Sequence, residues 1–187
     1  MATAKSTGRK IIVTEFVSLD GVIESPQKWS FEFWGDDIGK FKHDELFATD
    51  ALLLGRKTYE GFAEAWPTRK DKEGFADRIN SLPKHVASTT LNDVGWNNSK
   101  LIKGNLADEV AKLKQTPGQN IVVHGSRTLV NSLMNYGLVD QFNLLVFPVV
   151  LGGGLLLFDQ GNRVTLKLVE SRKFDTGVMA LIYQTAS

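Results

Sequence analysis

Apolar residues in this chain recur with two different periods. Mostly apolar runs at residues 11–17, 52–54, 121–123 and 142–150 suit buried strands and are too short to fill helices. Between them the spacing changes. Tyr59, Phe62, Ala63 and Trp66 stand at i, i+3, i+4 and i+7, which predicts a helix that Pro67 stops. Leu106, Val110 and Leu113 keep helical spacing behind Asn105, a good N-cap with Asp108 three residues on, and Thr116-Pro117-Gly118 ends that helix. Leu129, Val130, Leu133 and Met134 make a further helical face, closed by Gly137 as its C-terminal cap. A helix from Gly35 or Asp36 to Thr49 opens on acidic residues that suit its dipole. Its apolar members Ile38, Phe41, Leu46 and Phe47 spread around the axis instead of forming one stripe.

Weaker signals fill the gaps. Residues 82–90 read as a third strand, 99–102 as a short strand, and 75–79 as a turn or two of helix. Residues 24–34 have no period, and their four aromatics (Trp29, Phe31, Phe33, Trp34) either cap a core or cover a flat, ring-shaped ligand. After Asp140 the alternation of strand and helix stops. The run at 142–150 leads into Leu151-Gly152-Gly153-Gly154, a tight turn or a place where backbone approaches a ligand. Strands at 164–169 and 178–183 follow, joined at Asp175-Thr176-Gly177 as a hairpin. The pattern predicts an α/β fold with a mixed, mostly parallel sheet and antiparallel C-terminal strands.

Composition narrows the function. The 187 residues, 42% of them apolar, can bury one core, so a single domain is expected over residues 10–187 behind a disordered tail at 1–9. With 22 basic and 21 acidic residues there is no charge excess to suggest nucleic acid or an anionic membrane as partner. Cysteine is absent, and the three histidines (His43, His85, His124) lack metal-binding spacing, so no metal is expected. No apolar run has the length of a membrane span and no export signal opens the chain, which points to the cytoplasm.

One device occurs twice. The strand at 52–54 runs through Gly55 into Arg56-Lys57-Thr58 at a helix start, and the strand at 121–123 runs through His124-Gly125-Ser126 into Arg127-Thr128. A helix start offers free backbone N–H groups and a dipole that favours an anion, and arginine can hold a phosphate through two hydrogen bonds. A single copy is as well read as a surface arginine on an ordinary turn. Two copies, each ending a buried strand, suggest a dinucleotide's phosphates along one sheet edge, although no G-x-G-x-x-G fingerprint is present.

Taken in order, Ser18-Leu19-Asp20-Gly21, Leu54-Gly55-Arg56-Lys57-Thr58-Tyr59, Gly125-Ser126-Arg127, and Gly137-Leu138-Val139-Asp140 followed by Phe147-Pro148-Val149-Val150-Leu151-Gly152-Gly153 resemble the dihydrofolate reductase superfamily. The similarity is to its branch of riboflavin-biosynthesis reductase domains and their stand-alone relatives, and it runs from about Lys10 to Gln184. The resemblance implies a three-layer dihydrofolate-reductase-like fold with NADPH across the C-terminal ends of the central strands. Carried over by position, Gly55, Arg56, Lys57 and Thr58 would contact cofactor phosphates, Ser88 and Thr89 would lie near the adenosine, and Gly125, Ser126, Arg127 and Thr128 would meet the pyrophosphate. Arg127, or Arg56, would answer the 2′-phosphate. Val17 and Asp20, with residues 24–34, would border the nicotinamide and a small-molecule substrate.

The chain departs from that pattern in two places. Ser126 replaces a further glycine of the turn, and the inward carboxylate that dihydrofolate reductases keep on the first helix has only Asp36, Asp37 and Asp44 as candidates. The proton for reduction is expected from Asp20 first and Glu32 second, with Asp20 equally readable as the first residue of an Asp-Gly turn. His124, ending a buried strand, reads as a core or rim histidine. The expectation is an NADPH-dependent reductase of a small heterocyclic or ribosylamino-pyrimidine-type substrate. The alternative is a nucleotide-binding module that keeps the cleft without catalysis. The apolar C-terminal strands predict a homodimer built on them.

Overall fold

The computed structural model describes residues 8–159 and 163–186, so most of the expected tail at 1–9 lies outside the described residues. Eight strands form one sheet: β1 (Ile11–Ser18), β2 (Thr49–Gly55), β3 (Lys84–Ala87), β4 (Ser99–Leu101), β5 (Asn120–Val123), β6 (Gln141–Phe147), β7 (Leu166–Lys173) and β8 (Met179–Thr185). Their order is β4-β3-β2-β5-β1-β6-β8-β7. The first six run parallel, while β8 is antiparallel to β6 and β7 to β8. The expected mixed sheet with antiparallel C-terminal strands is therefore what forms.

Five helices complete three layers: α1 (Asp36–Phe47), α2 (Arg56–Ala65), α3 (Phe75–Ser81), α4 (Leu106–Gln115) and α5 (Arg127–Asn135). Successive strand residues face opposite sides, so each buried run feeds two cores. Ile11, Val13, Ala51, Leu53, Ile121 and Val123 pack on one side against Val110 of α4 and Leu129, Val130 and Leu133 of α5. Ile12, Leu52, Leu54 and Val122 pack on the other against Leu46 of α1, Tyr59 of α2 and Ile79 of α3. A third cluster joins Ile38 to Leu145, Phe147, Phe174 and Val178.

Some boundaries differ from the pattern, each for a local reason. β3 is shorter than the run at 82–90 because Ser88 Oγ accepts from Thr90 N–H (3.1 Å) and Leu91 N–H (3.0 Å), turning the chain away. β6 stops before Pro148, which has no N–H to offer a ladder. β7 is an edge strand lying later than 164–169, and most of it is exposed, so burial left little pattern there. On α1 the inner face is Ile38, Lys42 and Leu46. A lysine in the middle of the stripe explains why its apolar residues looked scattered.

Candidate active site

All six parallel strands end on one rim, and two neighbours diverge there. The chain leaves β2 for α2 on one face and β5 for α5 on the other, which opens a crevice at the carboxyl ends of the sheet. The two exits touch. Gly55 N–H donates to Gly125 O at 3.0 Å, and a Cβ on Gly55 would come within 2.8 Å of Ser126 N. Gly125 has φ +90°, a conformation that suits glycine, and the Gly125–Ser126 peptide is cis.

Neither helix start is capped by a side chain: Gly55 precedes α2 and Ser126 precedes α5 without such a bond. After the edge strand β4 the contrast is clear, since Asn105 Oδ1 accepts from Ala107 N–H at 2.9 Å and Asp108 N–H at 3.2 Å. The first N–H groups of α2 and α5 are left for an external acceptor, and the helix dipoles favour an anion.

The expected cofactor residues mostly gather here. Arg56 is held at the rim by Glu60 Oε1 (Nε donating, 2.8 Å) and Thr90 Oγ1 (2.7 Å). Lys57, Thr89 and Thr128 are exposed. Ser88 builds the turn that presents Thr90, and Thr58 Oγ1 lies beside Gly125. Arg127 pairs with Asp159, yet its Nε is sealed without a partner. Val17 is the exception. Its side chain enters the core on the α4–α5 face.

The two expected proton donors are placed differently from that role. Asp20 accepts from Ser18 Oγ (2.6 Å), Leu151 N–H (3.2 Å) and Gly152 N–H (2.8 Å). These bonds, that from Ser18 first, hold its carboxyl down at about 2. Asp20 is thus an ionised anchor tying the loop after β1 to the glycine turn, through partners other than the Asp-Gly turn's own backbone. Glu32 is exposed on a short helical turn, Phe31–Phe33. Among the first-helix acids, Asp36 is exposed, Asp44 pairs with Lys40 at 2.7 Å, and Asp37 accepts from Ile38 N–H and Asp175 N–H.

The inward carboxylate on α1 is Glu45, which the sequence reading passed over. It pairs with Lys42 and accepts from Thr14 Oγ1 (3.0 Å) and Asn143 Nδ2 (2.7 Å), and Lys42 Nζ also donates to Thr14 Oγ1 at 2.7 Å. Glu15 on β1 was also missed. Burial pushes its carboxyl up to about 8, with Lys42 opposing and Glu45 adding to the rise. The signal was a charged residue inside a mostly apolar strand. His124 packs on Phe62 at 5.5 Å between ring centroids, and burial holds it well below its usual pKa, so it is neutral.

The loop at 24–34 divides its aromatics between the two expected uses. Trp29 and Phe33 pack on Phe147 at 5.5 and 6.0 Å, capping the core, while Phe31 and Trp34 are 59% and 42% exposed, Trp34 lying against Phe16 and Phe31 against Trp34. A cleft of about 530 Å³ opens between this loop and the glycine turn, lined by Val22, Glu24, Lys28, Trp29, Leu151 and Gly153. Gly154 itself packs on Val22, where a Cβ would lie 2.7 Å from Cγ1. No group of histidine, aspartate and glutamate suited to a metal is found among the described residues. No helix there is long and apolar enough to cross a membrane.

Uncapped helix starts, two arginines and glycines set where a Cβ would collide fit the phosphates of a dinucleotide, and the sealed Arg127 Nε and His124 Nε2 lack a partner among the described residues. The fold and rim define an α/β protein of the dihydrofolate-reductase-like class. The chain belongs to the RibD C-terminal domain family, whose model matches residues 9–180. It is 36% identical over 180 residues to the Bacillus subtilis (strain 168) protein YyaP, covering 94% of each chain. A Shewanella sp. PV-4 structure named for riboflavin biosynthesis superposes with a TM-score of 0.76 at 23% identity, over 95% of this chain and 99% of that one. Dihydrofolate reductase from Enterococcus faecalis, complexed with NADP(H), gives 0.63 at 14% identity, over 95% and 97%.

Proposed function

We propose that this protein is a cytoplasmic NADPH-dependent reductase of a small heterocyclic or ribosylamino-pyrimidine-type substrate. The observation that carries the reading is the pair of uncapped helix starts where β2 and β5 diverge, Gly55 leading into Arg56 at one and Gly125-Ser126 into Arg127 at the other. NADPH, when bound, supplies the hydride. Gly55, Arg56, Lys57 and Thr58 hold its phosphates from one helix and Gly125, Ser126, Arg127 and Thr128 from the other, with Ser88 and Thr89 toward the adenosine. The loop at 24–34 keeps water from the ring site. Asp20 fixes the glycine turn beside the substrate cleft, so Asp20→Asn lowers turnover and leaves NADPH affinity nearly unchanged. Loss of NADPH binding in that variant would show instead that Asp20 holds the cofactor side together.

The test is NADPH oxidation followed against dihydrofolate, pyrimidine and quinonoid substrates. Turnover of one of them supports the reductase. NADPH binding without turnover across the panel supports the second reading, a nucleotide-binding module without catalysis. One observation favours that second reading: the hydrogen bonds of Asp20 keep its carboxyl ionised, and Glu32 stands exposed on the surface. The working form is a homodimer through the C-terminal strands. On the edge strand β7, Leu168 and Val169 are 48% and 44% exposed, an apolar edge that a second copy would cover. Light scattering that finds a stable monomer at micromolar concentration would end the dimer proposal.

A further inference from the structure

Glu15 stands two residues beyond Val13, the last residue of β1 to pair with β5, at Val123. It therefore lies level with Gly125, where β5 has turned toward α5. Its Oε1 is sealed from solvent and has no hydrogen-bond partner among the described residues. The space above Gly125 is shared by two oxygens, because a Cβ there would be 3.2 Å from Glu15 Oε1 and 3.2 Å from Thr58 Oγ1. A buried polar atom left unpaired bears its full desolvation cost, and here none of the described residues relieves it.

We propose that Glu15 is a contact residue for the bound dinucleotide, meeting a hydrogen-bond acceptor that the ligand carries past Gly125 and Thr58. The proposal rests on the nucleotide-binding reading above. The exits into α2 and α5 touch at this point, so an anion drawn to the two helix starts comes to the place where Glu15 lies. An ionised carboxylate would repel it; a protonated one donates to it.

The surroundings favour the protonated form. Burial raises Glu15 to about 8, and the charges acting on it are Lys42, which opposes, and Glu45, which adds, both from α1. His124, just past the end of β5, is held neutral by burial. From α2 comes Thr58, which does not titrate, and the β6 residue opposite Glu15 is Leu144. Glu15 is a carboxylic acid at neutral pH, and its proton is the one the ligand's acceptor takes. A dinucleotide that needs this proton loses about tenfold in affinity for each pH unit above the Glu15 value of about 8.

The experiment is fluorescence titration of NADPH and NADP⁺ into the wild type, Glu15→Gln and Glu15→Ala between about pH 6.5 and about pH 9.5, with circular dichroism to verify the fold. Wild-type affinity should be level near neutrality and about tenfold weaker at about pH 9. Glu15→Gln, neutral and still a donor, should keep the neutral-pH affinity and lose that fall. Glu15→Ala should bind more weakly throughout. Lys84 also sits at about 8, but it begins β3, at the opposite end of the sheet from the rim, and the glutamine variant removes its contribution by comparison. A parallel fall in Glu15→Gln, or no fall in the wild type, would overturn the role of Glu15 alone. No binding by the wild type at about pH 6.5 would overturn the nucleotide-binding reading and this proposal with it.

Discussion

At the start of β3, Lys84 is fully buried, yet its Nζ donates to Asn80 O (2.7 Å), Leu82 O (2.8 Å) and Asn97 O (3.0 Å), with the Trp96 ring 4.1 Å away. Toward the end of β1, Glu15 is placed the other way, its Oε1 sealed and its partner missing. Both are ionisable side chains on strands of one sheet, and burial shifts both to about 8. The difference is where the hydrogen bonds go. Three donors matched by three carbonyls mark an interior polar group whose work is structural. An acid left without a partner, beside glycines and uncapped helix starts, marks a surface built for something outside the chain.

The largest expected effect falls on the satisfied corner. Lys84→Met strands three carbonyls at once, and we expect a loss of about 4 kcal/mol of stability with no change in NADPH affinity. Denaturant unfolding checks the first half, and a loss under about 1 kcal/mol would mean those carbonyls find other partners. Next comes Gly55→Ala at the crevice, where the new Cβ meets Ser126 N at 2.8 Å. Prising the two exits apart should cost about 2 kcal/mol and most of the NADPH affinity; wild-type binding in this variant would show that the exits need not touch.

Glu15→Gln sharpens the comparison through pH. In the folded protein the carboxyl stays protonated up to about 8, whereas in the unfolded chain it ionises near its ordinary value of 4.5. The unfolded state therefore binds fewer protons between those values, and wild-type stability falls as pH rises through that window, then levels. We expect a fall of about 2 kcal/mol, below the full ~1.4 kcal/mol per unit because the side chain is only partly buried. The glutamine variant should lack it. Equal pH profiles for the two proteins would place the Glu15 carboxyl in water.

The smallest effect separates the two arginines. Arg56 Nε is satisfied by Glu60 at 2.8 Å, while Arg127 Nε has no partner. Arg127→Ala should therefore weaken NADPH more than Arg56→Ala, by about tenfold, and weaken NADH less if Arg127 meets the 2′-phosphate. Equal losses for both cofactors in both variants would leave the 2′-phosphate without an assigned partner.

Much of the architecture was written in the residue pattern. The runs at 52–54 and 121–123, the helical faces from Tyr59 and from Leu129, and the Asn105 cap all formed where spacing placed them, because period alone decides which face of an element can be buried. The repeated strand–glycine–arginine–helix device was equally local, since a glycine exit and a helix start need only neighbouring residues. Pattern did not decide the fate of the charged residues. Asp20 reads the same in sequence whether it gives a proton or anchors a turn, and Leu151 and Gly152, more than a hundred positions away, chose the anchor. Lys42 and Glu45 look like solvated helix residues until α1 lies on Thr14 and Asn143. Glu15 interrupts an apolar strand, but its meaning depended on Gly125 of another strand turning away beside it. Burial and hydrogen-bond partners are properties of what the chain brings alongside a residue, and only the packed sheet supplies those neighbours.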